Sequence, residues 1–299
     1  MADQRAGDRD HAYGVLTRAW LLIVSGQIFL AISAVEFVRQ MFGSLPPWPV
    51  ALAPIATLVL LAVSALALLQ GKPQTEEKVA QPIQQLTLLY RAVALLLTLL
   101  WVHKYIPEQN RFWVLVLLGG LLFLVNGWKP NDERLIFSAV LTLAGFVYFW
   151  IPAQGESAVS WLNLFAILFL LAQQQIARRW PENFPIKSEA QTAAILLAGC
   201  SAWLFVSRWV LLKYSGFYLT ASWAGLAFLI FAAGLLLKEQ IYRWLGLVVL
   251  AAAVGRVTLF DVWKLQTLHR VLSFLALGVV LVVLGFIYNK YQEKIRTWL

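Results

Sequence analysis

The stretch from Tyr214 to Leu237 reads YSGFYLTASWAGLAFLIFAAGLLL and carries no charged side chain. A helix needs about 20 mostly apolar residues to cross the roughly 30 Å of hydrocarbon in a bilayer, and this run is longer than that. It is apolar on every face, whereas the strands of a membrane β-barrel alternate between apolar and polar residues. Because an α-helix pairs its backbone N–H and C=O groups within the segment itself, the stretch predicts a transmembrane helix.

The rest of the chain has the same character. Further charge-free runs extend over Met41–Gly71, Leu135–Gly155 and Val271–Asn289. Of the 299 residues, 61% are hydrophobic and 13% are charged, and the mean hydropathy is +0.72. A soluble domain is roughly half apolar and a quarter charged. The composition therefore predicts an all-α polytopic membrane protein.

Apolar runs separated by charged residues or by Pro and Gly predict about ten transmembrane helices packed as sequential helical hairpins. The predicted spans are 15–42, 49–70, 84–104, 112–128, 133–151, 158–178, 190–212, 217–237, 241–260 and 268–290. In the ninth span, Arg243 and Arg256 leave only Trp244–Gly255 free of charge between them. A re-entrant segment is therefore an alternative to a full crossing at this place.

The predicted organisation is a single transmembrane helical domain over 15–291, between a polar cytoplasmic N-terminus, 1–14, and a cytoplasmic tail, 292–299. Segments 112–151 and 222–261 form a predicted repeat. In each segment an apolar run beginning near a tryptophan is followed by a charged turn and a second apolar run.

The loops between the spans are short. The longest cover Gly71–Ile83 and Arg178–Glu189, and neither has room for a soluble catalytic domain. Any chemistry is therefore expected in or at the membrane.

The chain has 24 Lys and Arg residues against 15 Asp and Glu, a formal net charge of +9. In a polytopic membrane protein, Lys and Arg collect in cytoplasmic loops, where they set the orientation and attract anionic lipid. If both termini are cytoplasmic, most of the Lys and Arg residues fall on the cytoplasmic side of the predicted spans. Membrane topology therefore explains the charge, and no nucleic-acid partner is expected.

The densest polar group at predicted membrane depth contains Arg256, Asp261, Lys264, His269 and Arg270. Asp261 and Lys264 have helical spacing, and the turn after them brings Arg270 back towards Asp261 as a bidentate partner. One interpretation is an ion-paired turn that locks the last hairpin. The other is a site for an anionic lipid headgroup or a lipid-linked phosphate, because two arginines exceed what one aspartate neutralises.

Four further residues are candidates for binding or catalysis. Glu36 and Arg39 have helical spacing near the outer end of the first span and are expected to pair. Arg208 lies near the outer end of the seventh span, where its side chain either extends to the interface or binds a ligand. His103 and His269 fall at loop margins, whereas paired haem ligands lie deep in a helical bundle, so no cofactor is expected.

Several catalytic patterns are absent from the sequence. It contains no Walker loop, HExxH, GxSxG, dinucleotide fingerprint or acidic metal cluster. Cys200 is the sole cysteine, which excludes a disulfide within the chain and a thiolate metal site, so no metal is expected. Gln173, Gln174 and Gln175 end the sixth span and are interpreted as its polar exit from the membrane.

The C-terminal quarter resembles the end of a bacterial family of predicted membrane proteins, domain of unknown function 2339. Members place a basic residue five positions before an aspartate, then arginine, Ser-Phe and Leu-Gly before a last helix that ends with tyrosine. The matching residues here are Arg256, where lysine is usual, Asp261, Arg270, Ser273, Phe274, Gly278 and Tyr288. The resemblance implies a multi-helix protein of the bacterial inner membrane and supplies no reaction.

Three hypotheses of function follow. The first is a non-catalytic inner-membrane protein that organises a partner membrane protein or an envelope lipid through the outer-leaflet polar cluster. The second is a carrier or flippase for an amphiphilic or lipid-linked anion, whose route is lined by Arg256, Arg208 and Arg270. The third is a membrane-embedded transferase that uses His103 or His269 as its base. In that case Asp261 or Glu36 has to lie within hydrogen-bond reach of the histidine.

Overall fold

A computed structural model describes residues 32, 34–70, 77–128, 131–151, 160–214, 216–261 and 267–290. Within these ranges only the backbone is described at 64–70, 77–83, 216–217, 260–261, 267–270, 272–273, 276, 284 and 287–289.

Helices account for the regular secondary structure of the described ranges. They are α1 (34–42), α2 (Ala53–Gln70), α3 (Glu77–Tyr105), α4 (Glu108–Asn126), α5 (Asp132–Trp150), α6 (Trp161–Arg179), α7 (Ser188–Lys213), α8 (Gly216–Leu236), α9 (Gln240–Arg256) and α10 (Thr267–Lys290). A 3₁₀ turn, Val50–Leu52, precedes α2, and a π-helical turn, Val257–Asp261, follows α9. The prediction of an all-helical protein is confirmed.

The number of spans is smaller than predicted in the part of the chain that the structure describes. Six helices are long and apolar enough to cross a membrane: Gln84–Tyr105, Glu108–Asn126, Asp132–Trp150, Ser188–Lys213, Tyr218–Leu236 and Gln240–Leu259. The prediction of about ten spans is therefore not confirmed. Helix α6 is not among the six, because three glutamines and two arginines occupy its C-terminal turns.

The ninth predicted span is long and apolar enough to cross a membrane. The π-helical turn continues α9 to give the apolar segment Gln240–Leu259. Arg243 is only 7% exposed, and its Cγ lies against the backbone of Gly234 on α8. Its aliphatic stem thus covers apolar surface, while its Nε and Nη2 are buried without a hydrogen-bond partner among the described residues. Length and composition thus favour a full crossing at this place.

The chain divides into two compact units, Met1–Ile106 and Pro107–Leu299. In the first unit, α2 packs against α3. Its core contains Phe37, Met41, Ala51, Leu58, Ala62, Tyr90, Ala94 and Leu97. Two aromatic residues of α3 hold the segment before α2: the Tyr105 hydroxyl donates to the carbonyl of Pro46, and Trp101 Nε1 lies 3.4 Å from the carbonyl of Trp48.

The second unit contains α4 to α10. Helices α4 and α5 form one closely packed hairpin and α8 and α9 form another, while α6 packs against both α4 and α7. The core between α4 and α7 includes Phe112, Phe146, Ile167 and Phe205. The segments 112–151 and 222–261 are thus both helical hairpins, and their relation as a repeat stays a prediction.

Turns at one end of the second unit are tied together by buried Asn126. Its side chain accepts from the backbone N–H of Asn131 at 2.8 Å, and its amide lies 3.4 Å from the carbonyl of Asn183. Asn183 in turn donates to the carbonyl of Gly127 at 2.7 Å. These contacts hold the α4–α5 turn beside the α6–α7 loop, so the start of α5, the end of α6 and the start of α7 lie at the same end.

Candidate functional site

The predicted outer-leaflet cluster is described only in part. The side chain of Arg256 donates from Nε to Thr220 Oγ1 at 3.1 Å, and its guanidinium lies 5.5 Å from the ring centroid of Trp223. Asp261 ends the π-helical turn, and His269 and Arg270 belong to the first turn of α10, all three with their backbone alone described. Lys264 lies outside the described residues. The clustering of these side chains stays a prediction.

Arg208 binds the end of a neighbouring helix. Its Nη1 donates to the carbonyl of Phe149 at 2.7 Å, and its Nη2 lies 3.4 Å from the carbonyl of Trp150. These carbonyls belong to the last turn of α5, where backbone acceptors have no partner within the helix and carry partial negative charge. The arginine therefore caps α5.

The candidates in the first unit lie apart from one another along the chain. Arg39 Nε is 3.0 Å from Glu36 Oε2, and Gln40 Nε2 is 3.3 Å from Glu36 Oε1. The expected pairing of Glu36 with Arg39 is thus observed, between side chains that are both exposed. His103 is exposed in the last turn of α3. Among the described residues, no group of His, Cys, Asp and Glu is arranged to hold a metal ion.

A groove of about 560 Å³ opens along the second unit between α5 and α7, with α6 as its floor. On one wall, Ile136 and Leu143 of α5 are exposed to more than half of their surface. The other wall is made of small residues of α7, Ala190, Ala193 and Ala194. Both helices are long and apolar enough to span a membrane, and we therefore expect the open side of the groove to face hydrocarbon.

The floor of the groove contains two buried amides, which we call the glutamine pair, Gln173 and Gln174. They are 2% and 6% exposed. Gln173 Nε2 and Gln174 Oε1 have no hydrogen-bond partner among the described residues. One of these atoms is a donor and the other an acceptor. The interpretation of these glutamines as a polar exit from the membrane is therefore wrong, because both side chains lie inside the helix bundle.

The position of the glutamine pair follows from helical periodicity. Ala166, Leu170, Gln173, Gln174 and Ala177 recur at spacings of three and four residues and form the buried stripe of α6. The amides thus occupy positions that the pattern assigns to apolar side chains. This stripe is the sequence signal that predicts the burial of Gln173 and Gln174. The signal is missed when the three consecutive glutamines are interpreted together as one polar exit.

Glycines of α4 allow the close approach of the two neighbouring helices. The place where Gly120 would carry a Cβ is occupied by Gln173 Nε2 and by the ring of Phe169, both on α6. The adjacent Gly119 accepts a hydrogen bond from Ser138 of α5 through its carbonyl, at 2.7 Å. Small residues of this kind let membrane helices pack closely. The glycine pair therefore sets the separation between the floor and one wall of the groove.

The opposite side of α6 is fixed to α9. Gln175 Nε2 lies 3.2 Å from the hydroxyl of Tyr242, and the guanidinium of Arg178 is paired with the carboxylate of Glu239. Both members of this ion pair are largely buried. Polar contacts on this side of α6 are thus satisfied within the protein, whereas Gln173 Nε2, packed against Gly120 of α4, and Gln174 Oε1 are enclosed without a partner among the described residues.

Two charged residues border the mouth of the groove, Asp132 at the first position of α5 and Lys187 immediately before α7. Both are exposed. The groove therefore combines an apolar channel, a pair of interior amides and a mouth with one acidic and one basic residue. Pockets for small amphiphilic ligands share this composition, with few polar groups in a mostly apolar wall.

The helices and the groove define a polytopic membrane protein with a side-opening pocket. The chain belongs to the predicted membrane protein family DUF2339, whose family model matches residues 4–291. The resemblance seen in the C-terminal quarter thus extends over nearly the whole chain. No curated protein and no solved structure matches it.

Proposed function

We propose that this protein is non-catalytic and binds one amphiphilic molecule, a lipid or a lipid-linked compound, in the groove between α5 and α7. The observation that carries the proposal is the groove itself, a mostly apolar opening of about 560 Å³ between two candidate membrane spans, with Gln173 and Gln174 in its lining and Asp132 and Lys187 at its mouth.

The two glutamines are the polar part of an otherwise mostly apolar lining. Gln175, the next residue along α6, lies on the opposite side of the helix and is bonded to Tyr242. A polar ligand group that forms a hydrogen bond with a groove-lining glutamine adds to affinity, because an amide buried without a hydrogen bond costs roughly 1–3 kcal/mol in proteins.

The volume of the groove supports a ligand of limited size. Small-molecule pockets have volumes of about 300–1,000 Å³ and are lined mainly by apolar groups. The observed 560 Å³ falls within this range. An open side towards hydrocarbon admits the apolar part of the ligand directly from the bilayer.

Among the hypotheses drawn from the sequence, this proposal develops the envelope-lipid alternative and adds a second site. The groove mouth borders the charged turns assigned to the cytoplasmic side, whereas the cluster of Arg256, Asp261 and Arg270 was assigned to the outer leaflet. A carrier would need to bind the same molecule both at the groove mouth and at this cluster. Arg208 and Arg256 already contact protein groups, which favours binding over transport.

The test is native mass spectrometry of the protein extracted in a mild detergent. Wild-type protein is expected to retain one amphiphile per chain. Gln174→Leu, which replaces the amide by an apolar group of similar size, should lose this molecule and yet unfold at the same temperature or higher, because an unpaired buried amide is removed.

Gln175→Leu is the matched control. It removes the hydrogen bond to Tyr242 and should lower the unfolding temperature while the amphiphile is retained. Loss of stability in Gln174→Leu with the bound molecule unchanged would mean that this amide is structural, and the proposal would be rejected.

A further inference from the structure

We infer that the segment 43–52, which we call the proline loop, lies among the lipid headgroups and the upper part of the acyl chains, and not in water. The loop reads GSLPPWPVAL and joins α1 to α2. It belongs to the first unit, so the inference is independent of the groove in the second unit and of the function proposed for it.

The proline loop presents apolar side chains on a segment that is not an α-helix. It contains no charged residue, and Ser44 is its one polar side chain. Contiguous apolar patches on a protein surface mark contacts with a partner or with a membrane. The large apolar side chains of the loop are all exposed to more than a third of their surface, namely Leu45, Trp48, Val50 and Leu52.

The backbone of the proline loop has few groups that need water. Three of its ten residues are prolines, which have no N–H group. The N–H groups of Val50 and Ala51 donate to the carbonyl of Pro47, at 3.0 and 3.1 Å. The N–H of Leu52 donates to the carbonyl of Pro49 at 3.3 Å. An irregular segment leaves water at low cost only when its backbone groups are paired in this way.

Two aromatic residues of α3 pair further carbonyls and fix the depth of the loop. Tyr105 donates to the carbonyl of Pro46, and Trp101 Nε1 lies 3.4 Å from the carbonyl of Trp48. Tyr105 is the last residue of a helix that is long and apolar enough to cross a membrane, so the loop lies at the end of a candidate span. Trp101 lies one turn earlier, about 6 Å along the helix. The chain therefore runs from Pro46 to Trp48 towards the middle of that span.

Basic side chains lie beside the proline loop. Lys104 Nζ is 5.0 Å from the ring centroid of Phe42, the exposed residue that directly precedes the loop. Arg39, three residues before Phe42 on α1, is also exposed. Segments at a lipid interface combine Trp, Phe and Leu with Lys and Arg, because the basic groups attract the phosphates of the headgroups. This charge favours a lipid surface as the occupant of the apolar patch.

Site-directed spin labelling in vesicles tests the inference. The chain has one cysteine, so Cys200→Ser provides the background for single labels. Val50→Cys places a label in the loop, Leu60→Cys places one on the exposed apolar face of α2, and Glu182→Cys places one in the exposed α6–α7 loop. Each protein is reconstituted in vesicles of phosphatidylethanolamine and phosphatidylglycerol. Electron paramagnetic resonance then measures collisions of the label with oxygen, which concentrates in hydrocarbon, and with a water-soluble nickel chelate.

The label at Val50 should behave like the label at Leu60. It is expected to lose most of the chelate accessibility that the Glu182 label shows and to keep its accessibility to oxygen. A Val50 label as accessible to the chelate as the Glu182 label would place the loop in water and overturn the inference. Low accessibility to both reagents would mean that protein covers the loop, and it would overturn the inference equally.

Tyr105→Phe, combined with the label at Val50, tests the pairing of the backbone. The carbonyl of Pro46 loses its donor, so the loop should move towards water and the chelate accessibility of the label should rise. Tyr90→Phe on the same helix is the matched control, because the Tyr90 hydroxyl has no hydrogen-bond partner among the described residues, and it should leave the label unchanged. Equal accessibility in the two variants would refute the argument that paired backbone groups keep the loop out of water.

Discussion

Replacing Gly119 by alanine should force α4 and α5 apart. A Cβ on Gly119 would lie 2.8 Å from the backbone oxygen of Ser138 and 2.7 Å from Thr142 Oγ1. Real Cβ atoms essentially never approach a neighbouring atom to less than 3.0 Å, and a backbone carbonyl cannot rotate away as a side chain does. The helices must therefore separate, which also lengthens the 2.7 Å hydrogen bond from Ser138 Oγ to the carbonyl of Gly119.

The expected destabilisation follows from three contributions. Overpacking costs about 1–3 kcal/mol, and the weakened hydrogen bond adds about 0.6 kcal/mol. Alanine offsets about 1 kcal/mol through its higher helix propensity. The free energy of unfolding of Gly119→Ala should therefore fall by roughly 0.5–2.5 kcal/mol.

Gly225→Ala is the matched control, because nothing beyond its chain neighbours and the nearby backbone of α8 lies within 4 Å of the place its Cβ would take. It should raise the free energy of unfolding by about 0.5–1 kcal/mol. Reversible unfolding in mixed micelles, followed by circular dichroism, measures both variants. Equal effects of the two substitutions, or a stabilised Gly119→Ala, would refute the claim that close backbone contact holds this hairpin.

Two further predictions concern contacts between other helices. A double-mutant cycle between Arg178 and Glu239, read from the same unfolding assay, should give a coupling energy of about 1.5–3 kcal/mol that is little affected by salt, because both side chains are largely buried. A coupling that disappears in high salt would contradict this role. Ser201→Ala removes the acceptor of Trp150 Nε1 at 2.9 Å and should lower stability by about 0.6 kcal/mol, whereas an unchanged stability would show the bond to be dispensable.

The sequence predicted the helices well. Among the described residues, a helix lies within each predicted span, and most boundaries agree within a few residues, whereas 15–31 of the first predicted span lies outside the described residues. Periodicity and length suffice for this, since a helix in hydrocarbon satisfies its backbone locally. The sequence predicted the number of membrane spans less well than it predicted the helices. A segment such as α6 is helical but is not apolar enough to count as a candidate membrane span.

The groove was not predicted. Its floor comes from α6, its walls from α5 and α7, and its tight packing depends on Gly120 of α4. The pattern of residues within one helix does not show which of its apolar faces stays unpacked when the helices assemble. The charge of Arg208 predicted a ligand-binding residue, whereas the structure shows this side chain capping α5.

The amino-acid sequence by itself determines that this chain is a helical membrane protein, where its helices lie and which side chains are polar at membrane depth. These properties depend on interactions within a few residues, namely backbone hydrogen bonds and the transfer of apolar surface out of water. The burial of the glutamine pair and the opening between α5 and α7 arise only when helices distant in sequence pack together. They depend on side-chain size at each contact, as at Gly119 and Gly120, and therefore require the assembled structure.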